Sequence, residues 1–462
     1  MRRSVIFILI NILLERYCWT GTTNILVMYL HEKLEFDEGI STSLYHTVEL
    51  LVFVFPIVGA IAADNYFGLY KTLIWTSLIF ACGNLIIAIG AIEILSLPKV
   101  AFTLTGMFLF IPCGFVRSSL NTFGPDQYEL PKESEEFKSY FFVQMIFVKI
   151  GAFLGRFVNP IFREDVKCFD SHDCYPLAFG FPAIMMLFGL FILLIGKNSF
   201  VRKPPGGDMF TKVFFCMTYA LKEKTKHKSI KKDHWLDYAE DKFDKKLIED
   251  TKAVFRTLTI FLGIALVWSC FMQQNSRWIF QAAKMDGDLG FYKLKPDQII
   301  ALNPISCLLL TPVCVYGIYP LLEKCGFGSL LNRMAIGGFL CCASFVLAIL
   351  VEIYIQNHYI SMLWLLPQYS LSALCEIFVL VSMLNFAYEE APANMKSVMT
   401  ACVYLTIALG DSLIPIVSGS KIFKSQAMEF TFFASLLFVN MIVFCFIVRK
   451  FNRKRQKNEV LK

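Results

Sequence analysis

Apolar stretches about one membrane thick recur along the chain, each cut off by a short polar interruption. A crossing helix needs about 20 mostly apolar residues. On that measure the pattern predicts twelve spans, near 3–30, 42–63, 72–95, 98–121, 139–161, 175–196, 254–282, 297–321, 330–353, 361–387, 395–420 and 428–448. The long polar insert between the sixth and seventh divides them six and six. The expected organisation is a six-helix bundle at 1–196, a basic linker at 197–253, a second six-helix bundle at 254–448 and a basic tail at 449–462. Within the linker, Asp233, Trp235, Leu236, Tyr238, Ala239, Phe243 and Leu247 form an amphipathic pattern over 233–251, read as a helix lying on the inner membrane surface. The fold class is all-α and integral to the membrane. Twelve helices in two halves is the architecture of many secondary transporters, whose substrates bind between the halves near the bilayer midplane.

Composition agrees with this pattern. Of 462 residues 56% are apolar and only 18% charged, against about 25% charged in soluble domains. The 46 Phe, 18 Tyr and 6 Trp suit lipid-facing helices and their interfacial ends. The net charge of +7 is carried by loops between apolar runs, so nucleic acid is not implied. Segment 197–252 holds 14 Lys or Arg, among them Lys222, Lys224, Lys226, Lys228, Lys231 and Lys232, and the tail carries Arg449, Lys450, Arg453, Lys454, Arg455 and Lys457. Basic loops stay in the cytoplasm, so both termini are expected inside. The first apolar run holds Glu15 and Arg16 and no small-residue cleavage site, and is read as a span rather than a leader. Most of the 15 cysteines fall in apolar runs as small hydrophobes. Cys168 and Cys174 instead share a polar loop expected outside, where they form a disulfide candidate with two free thiols as the alternative.

Ionisable residues inside spans are costly and mark function. The first span has Glu15 and Arg16, with Asn11 and Trp19 one turn either side of Glu15. The second has His46 and Glu49, spaced to touch, and histidine titrates near neutral pH. Being near an external end, His46 could equally be solvated. The fourth has Arg117, the fifth Lys149 and Arg156, the tenth Glu376 and the eleventh Asp411. Arg156, Arg277 and Asp411 lie near span ends, where reaching the interface is cheap. Structural salt bridges are the competing explanation for the rest. Charges of both signs converging on a midplane cavity suit a zwitterion, with aromatic residues lining an otherwise tolerant pocket. Enzyme signatures are poor. There is no HExxH, and Gly189…Gly196-Lys197-Asn198 has the wrong spacing for a phosphate loop.

Several motifs carry a family resemblance. Glu15-Arg16-Tyr17 with Gly21 resembles the ExxERFxYYG motif of the proton-dependent oligopeptide transporters, the solute carrier 15 type. Tyr45-His46-Thr47, Pro56 through Asp64, Phe67-Gly68 and Lys71-Thr72 resemble that family's second helix and following loop. Phe123-Gly124-Pro125-Asp126-Gln127-Tyr128 is similar to its FGGDQF. Cys174 through Gly180 and Gln273 through Trp278, with Gln281-Ala282, look like the animal branch. Leu366-Pro367-Gln368-Tyr369, Glu376, Ala391-Pro392 and Met395-Lys396-Ser397 resemble helices ten and eleven.

The resemblance implies a major-facilitator fold, not an enzyme, that imports di- and tripeptides with protons by rocking of its halves. It needs no cofactor beyond the proton gradient. Its partners would be peptide, protons and the lipid bilayer, and it would act as a monomer in the plasma membrane. Carried over by position, Arg16 would hold the peptide carboxylate and Glu376 its amino terminus, with Arg117, Lys149, Trp268, Trp19 and Asn303 completing the substrate site. Glu15, His46 and Glu49 would couple protons. Departures from the pattern are Ile12 for the first Glu of ExxER, Trp19 and Thr20 for paired tyrosines, and Lys149 for a pocket Asn. Met145 and Phe53 stand for tyrosines, Met272 for an Asp and Asp411 for an Asn. Lys149 has two readings, an ion pair with Glu15 or Glu49, or a contact to the peptide carboxylate. The missing carboxylates leave open a carrier of amino acids or other small zwitterions or anions, or a peptide sensor that does not cycle.

Overall fold

In a computed structural model of the chain, residues 2–129, 132–169, 171–202, 209–226, 232–392 and 395–460 are described. Lys228 and Lys231, and the side chains of Asp64, Ser397, Arg453, Lys454, Arg455 and Lys457, lie outside the described residues. The chain is all-helical in its spans. Among the described residues, 11 helices are long and apolar enough to cross a membrane, or 12 when one bent pair counts as a span. The first six are Arg3–Glu32, Glu38–Ala62, Leu69–Gly90, Lys99–Gln127, Glu135–Glu164 and Tyr175–Asn198. The seventh is the bent pair, Lys245–Leu262 and Ala265–Ala283, meeting at 48°. The others are Pro296–Lys324, Leu330–Ile355, Met362–Glu390, Val398–Gly419 and Gln426–Asn452. This is a multi-pass membrane protein of the major-facilitator type.

Two cores follow from the two sets of six. The first gathers residues such as Leu9, Phe80, Phe110 and Phe179, and the second Phe261, Trp278, Phe345 and Phe430. They interlock at their margins, because Ile279 and Phe280 of the seventh span pack into the first core and Phe53 of the second span into the second. Small residues bring helices into backbone contact where function needs rigid geometry. A side chain at Gly151 of the fifth span would meet the Leu13 carbonyl at 2.4 Å and Arg16 Cβ at 2.9 Å, and one at Gly410 would meet the Ala265 carbonyl. The first and fifth spans are thus tightly seamed, as are the seventh and eleventh.

Between the halves the chain differs from expectation. A helix at Met209–Lys226 packs Cys216 and Ala220 against Leu236, Ala239 and Ile248. Residues 233–251 are not one amphipathic helix. A short turn at Trp235–Ala239 ends, and a new helix starts at Lys245 and runs on into the seventh span. The cause is local: Asp237 accepts from the His234 backbone N–H while His234 Nδ1 accepts from Leu236, which closes the turn on itself. Asp237 also holds Lys252 at 2.5 Å, tying the turn to the base of the seventh span.

Candidate functional site

The termini and the linker share one end of the bundle, and the two halves are pinned together at the other. There Arg163, from the last turn of the fifth span, grips Asp297 at the start of the eighth with two parallel bonds, Nε to Oδ2 at 3.0 Å and Nη2 to Oδ1 at 3.1 Å. Asp297 is fully buried. Glu32 supports the pair, lying 3.4 Å from Arg163 Nη1 and accepting from the Tyr175 hydroxyl at 2.7 Å. Lys295 reaches Asp165 at 2.8 Å, and the Asn24 amide donates to the Asp297 carbonyl. Arg277 adds a bond to Glu429 at 2.6 Å and a longer one to Glu38 of the second span at 3.4 Å. Cys168 and Cys174 are joined, closing the loop beside this end.

One layer deeper, His46 of the second span bridges to the other half with both ring nitrogens. Nδ1 lies 2.7 Å from Asp411 Oδ1 and Nε2 lies 2.7 Å from Ser276 Oγ, with Glu49 Oε2 at 3.6 Å on the Nδ1 side. His46 and Asp411 are both 0% exposed, so neither the solvated histidine nor the interfacial aspartate of the alternatives is found. Next to Asp411, Gly410 lets the eleventh span lie against the seventh.

The middle of the molecule is more open. Glu15 faces two cations of its own half, Arg16 Nε at 3.1 Å and Arg117 Nε at 3.6 Å. Arg117 lies over the Trp19 ring at 5.1 Å, so Trp19 acts as a platform for the guanidinium. Lys149 does not pair with Glu15 or Glu49. It crosses to the second half and meets Glu376 Oε1 at 2.7 Å, while the Cys307 thiol donates to Glu376 Oε2 at 3.3 Å. Sequence position misleads here, because Glu15 stands on the neighbouring span and Glu376 227 residues away. Side-chain exposures of 15% for Arg16, 15% for Lys149 and 17% for Glu376 show that solvent reaches all three, unlike the sealed His46 layer.

Trp268 is buried in the second core with its ring edge against Phe271, and its Nε1 has no hydrogen-bond partner. Asn303 is likewise buried with an unpartnered Nδ2. The closing pair Arg163–Asp297 is absent from the set chosen on sequence. Both residues sit where an apolar run gives way to a loop, and a charge there looks like an ordinary span end; only the arginine-to-aspartate reach between halves distinguishes them.

Comparison with known proteins fits this architecture. The POT family model (PTR2) matches residues 70–420. The chain is 36% identical over 358 residues to Peptide transporter family 1 of Drosophila melanogaster, covering 77% of this chain and 48% of that protein. It is 37% identical over 361 residues to Solute carrier family 15 member 2 of Homo sapiens, covering 77% and 49%. The chain therefore spans about half the length of these curated relatives. Among solved structures it superposes on the POT family transporter PepTSo with a TM-score of 0.83 at 21% identity, over 98% of this chain and 99% of that one. An auto-inhibited POT family peptide transporter gives 0.81 at 22% identity, over 97% of each.

Proposed function

The chain belongs to the POT family, and from that premise we propose that it imports di- and tripeptides together with protons, by alternating exposure of a chamber between its two halves. One observation carries the reading. Charged groups from both halves meet midway across the bundle, where solvent reaches Arg16, Lys149 and Glu376, while the end away from the termini is shut by Arg163–Asp297 and the His46 layer. A chamber shut at one end and wet in the middle is what a carrier needs at one stage of its cycle.

In this reading Arg16 and Glu376 are the poles of the substrate site, with Arg117 and Trp19 behind Arg16, Trp268 and Asn303 behind the second pole, and Lys149 between them. Glu15, His46 and Glu49 form the proton path. His46 suits the task because its two bonds to the other half depend on its protonation. The carrier works as a monomer in the plasma membrane, termini and linker in the cytoplasm, with the proton gradient as its energy source and no cofactor. The linker 197–253 joins bundles 1–196 and 254–448.

Whole-cell currents evoked by a dipeptide in mildly acidic medium test this directly. Binding without current would identify a sensor, and currents from free amino acids alone a different carrier. Glu376→Ala is expected to abolish peptide uptake, because it leaves Lys149 unpaired within the substrate site; near-normal transport would take Glu376 out of the site. His46→Gln is expected to remove the acid stimulation of uptake, and unchanged stimulation would move the proton path elsewhere.

A further inference from the structure

We infer that Lys149 supplies from within the protein the positive charge that a substrate's amino terminus would bring to Glu376, so that the chamber is built for short peptides whose amino end is acylated or otherwise uncharged. The inference rests on the carrier reading above and concerns which peptides it serves.

The argument begins with occupancy. A carboxylate receives an ammonium through its two oxygens. In this chain Glu376 Oε1 holds Lys149 Nζ at 2.7 Å and Oε2 holds the Cys307 thiol at 3.3 Å. A 2.7 Å contact between an ammonium and a carboxylate is at the short end of charge-assisted bonds, which are about twice as strong as neutral ones. Lys149 is carried by the fifth span, whose backbone is locked to the first at Gly151 and again at Gly155, where an added side chain would meet Thr20 Oγ1 at 2.5 Å. Among the described residues no acid of its own half holds Lys149; Glu15 faces Arg16 and Arg117. An incoming ammonium would have to displace Lys149 from Glu376 and strand it in a chamber that water only partly reaches.

The carboxylate end is different. Arg16 lies beside Lys149's helix, since its Cβ is among the atoms a side chain at Gly151 would strike, and its guanidinium turns Nε toward Glu15 at 3.1 Å. Its outer nitrogens remain to receive a carboxylate, and the solvent reaching it gives that carboxylate a path. The pocket thus offers a receptor for the acidic end of a peptide and none for a charged amino end.

Equilibrium binding to the purified full-length protein tests this with three probes: Ala-Ala, N-acetyl-Ala-Ala and Ala-Ala amide. The wild type should bind N-acetyl-Ala-Ala at least as tightly as Ala-Ala, and Lys149→Arg should keep that order. Lys149→Asn, which frees Glu376, should reverse it, favouring Ala-Ala by about tenfold or more. A wild type that prefers Ala-Ala by about tenfold overturns the inference, as does an unchanged ratio in Lys149→Asn. Such a preference would mean that a zwitterion splits the pair, its carboxylate taking Lys149. If Lys149→Asn does not fold, the wild-type and Lys149→Arg ratios decide alone. The amide separates the two readings: binding lost with the amide but insensitive to the acetyl group supports both, and binding lost with the amide while the free amine is preferred keeps the carrier and removes the inference. No binding of any of the three overturns both.

Discussion

The far end of the bundle and its middle are built from the same kinds of pairs, yet they are held differently. At the far end Arg163, Asp297, His46 and Asp411 have almost no exposure and each bond crosses between halves. In the middle, Lys149–Glu376 also crosses, but both partners keep contact with solvent. Burying a charge costs several kcal/mol that only its partner offsets, whereas water softens that dependence for a partly exposed pair. The far end is therefore built as a clasp and the middle as a more open layer, and burial rather than pair chemistry makes the distinction.

Three measurements can break or sharpen that contrast. The largest effect is expected for Arg163→Ala, which leaves Asp297 buried without a counter-charge. A loss of about 3–5 kcal/mol is expected for the closed form, read as a lower thermal midpoint and faster labelling of a cysteine placed at residue 24. Stability within about 0.5 kcal/mol of the parent would mean that the clasp is elsewhere. Lys149→Asn should cost less, about 1–2 kcal/mol, because water can take over part of the solvation of Glu376. Equal losses at the two sites would erase the difference between clasp and open layer. The smallest effect belongs to Lys421→Ala at the solvent-facing edge of the clasp, where the pair with Asp37 is 2.7 Å long but exposed, and at most about 1 kcal/mol is expected. The Lys421 ammonium, then the Ile40 backbone N–H, hold the Asp37 carboxyl below its usual range. Its contribution is therefore present above the ordinary carboxylate value of about 3.9 and is lost only as pH falls through the lowered one. Stability curves of the parent and of Lys421→Ala should run parallel from pH 5 upward and converge only in stronger acid, so this pair cannot be the source of any acid stimulation near pH 6.

How much of this could be read from the sequence follows from range. Span positions depend on local hydropathy, and the runs lie over the helical segments with shifts of a few residues, except that the helix of the seventh starts at Lys245, inside the stretch read as linker. The helix at Met209–Lys226 was hidden by its many lysines, although Val213, Cys216 and Ala220 fall on one face at helical spacing. Which residues carry intramembrane charge was also legible, since each interrupts an apolar run. Partners were not. Lys149 finds Glu376 and His46 finds Asp411 across 227 and 365 residues, and nothing within either run encodes that meeting. Asp411 could be noticed as a charge in a span, but its full burial depends on the approach of two helices at Gly410.

The seventh span has a joint in it, at Gly263 and Ile264, with a 48° change of direction. A helix interrupted in this way forgoes some of its regular backbone bonds, and here the Gly263 carbonyl accepts instead from Asn440 Nδ2 of the last span at 2.9 Å. Its first rod is moored to the linker through Lys252 and Asp237, while its second rod carries Ser276 and Arg277 to the second span. The two rods are thus held by different neighbours, the first by the linker and the second by the opposite half.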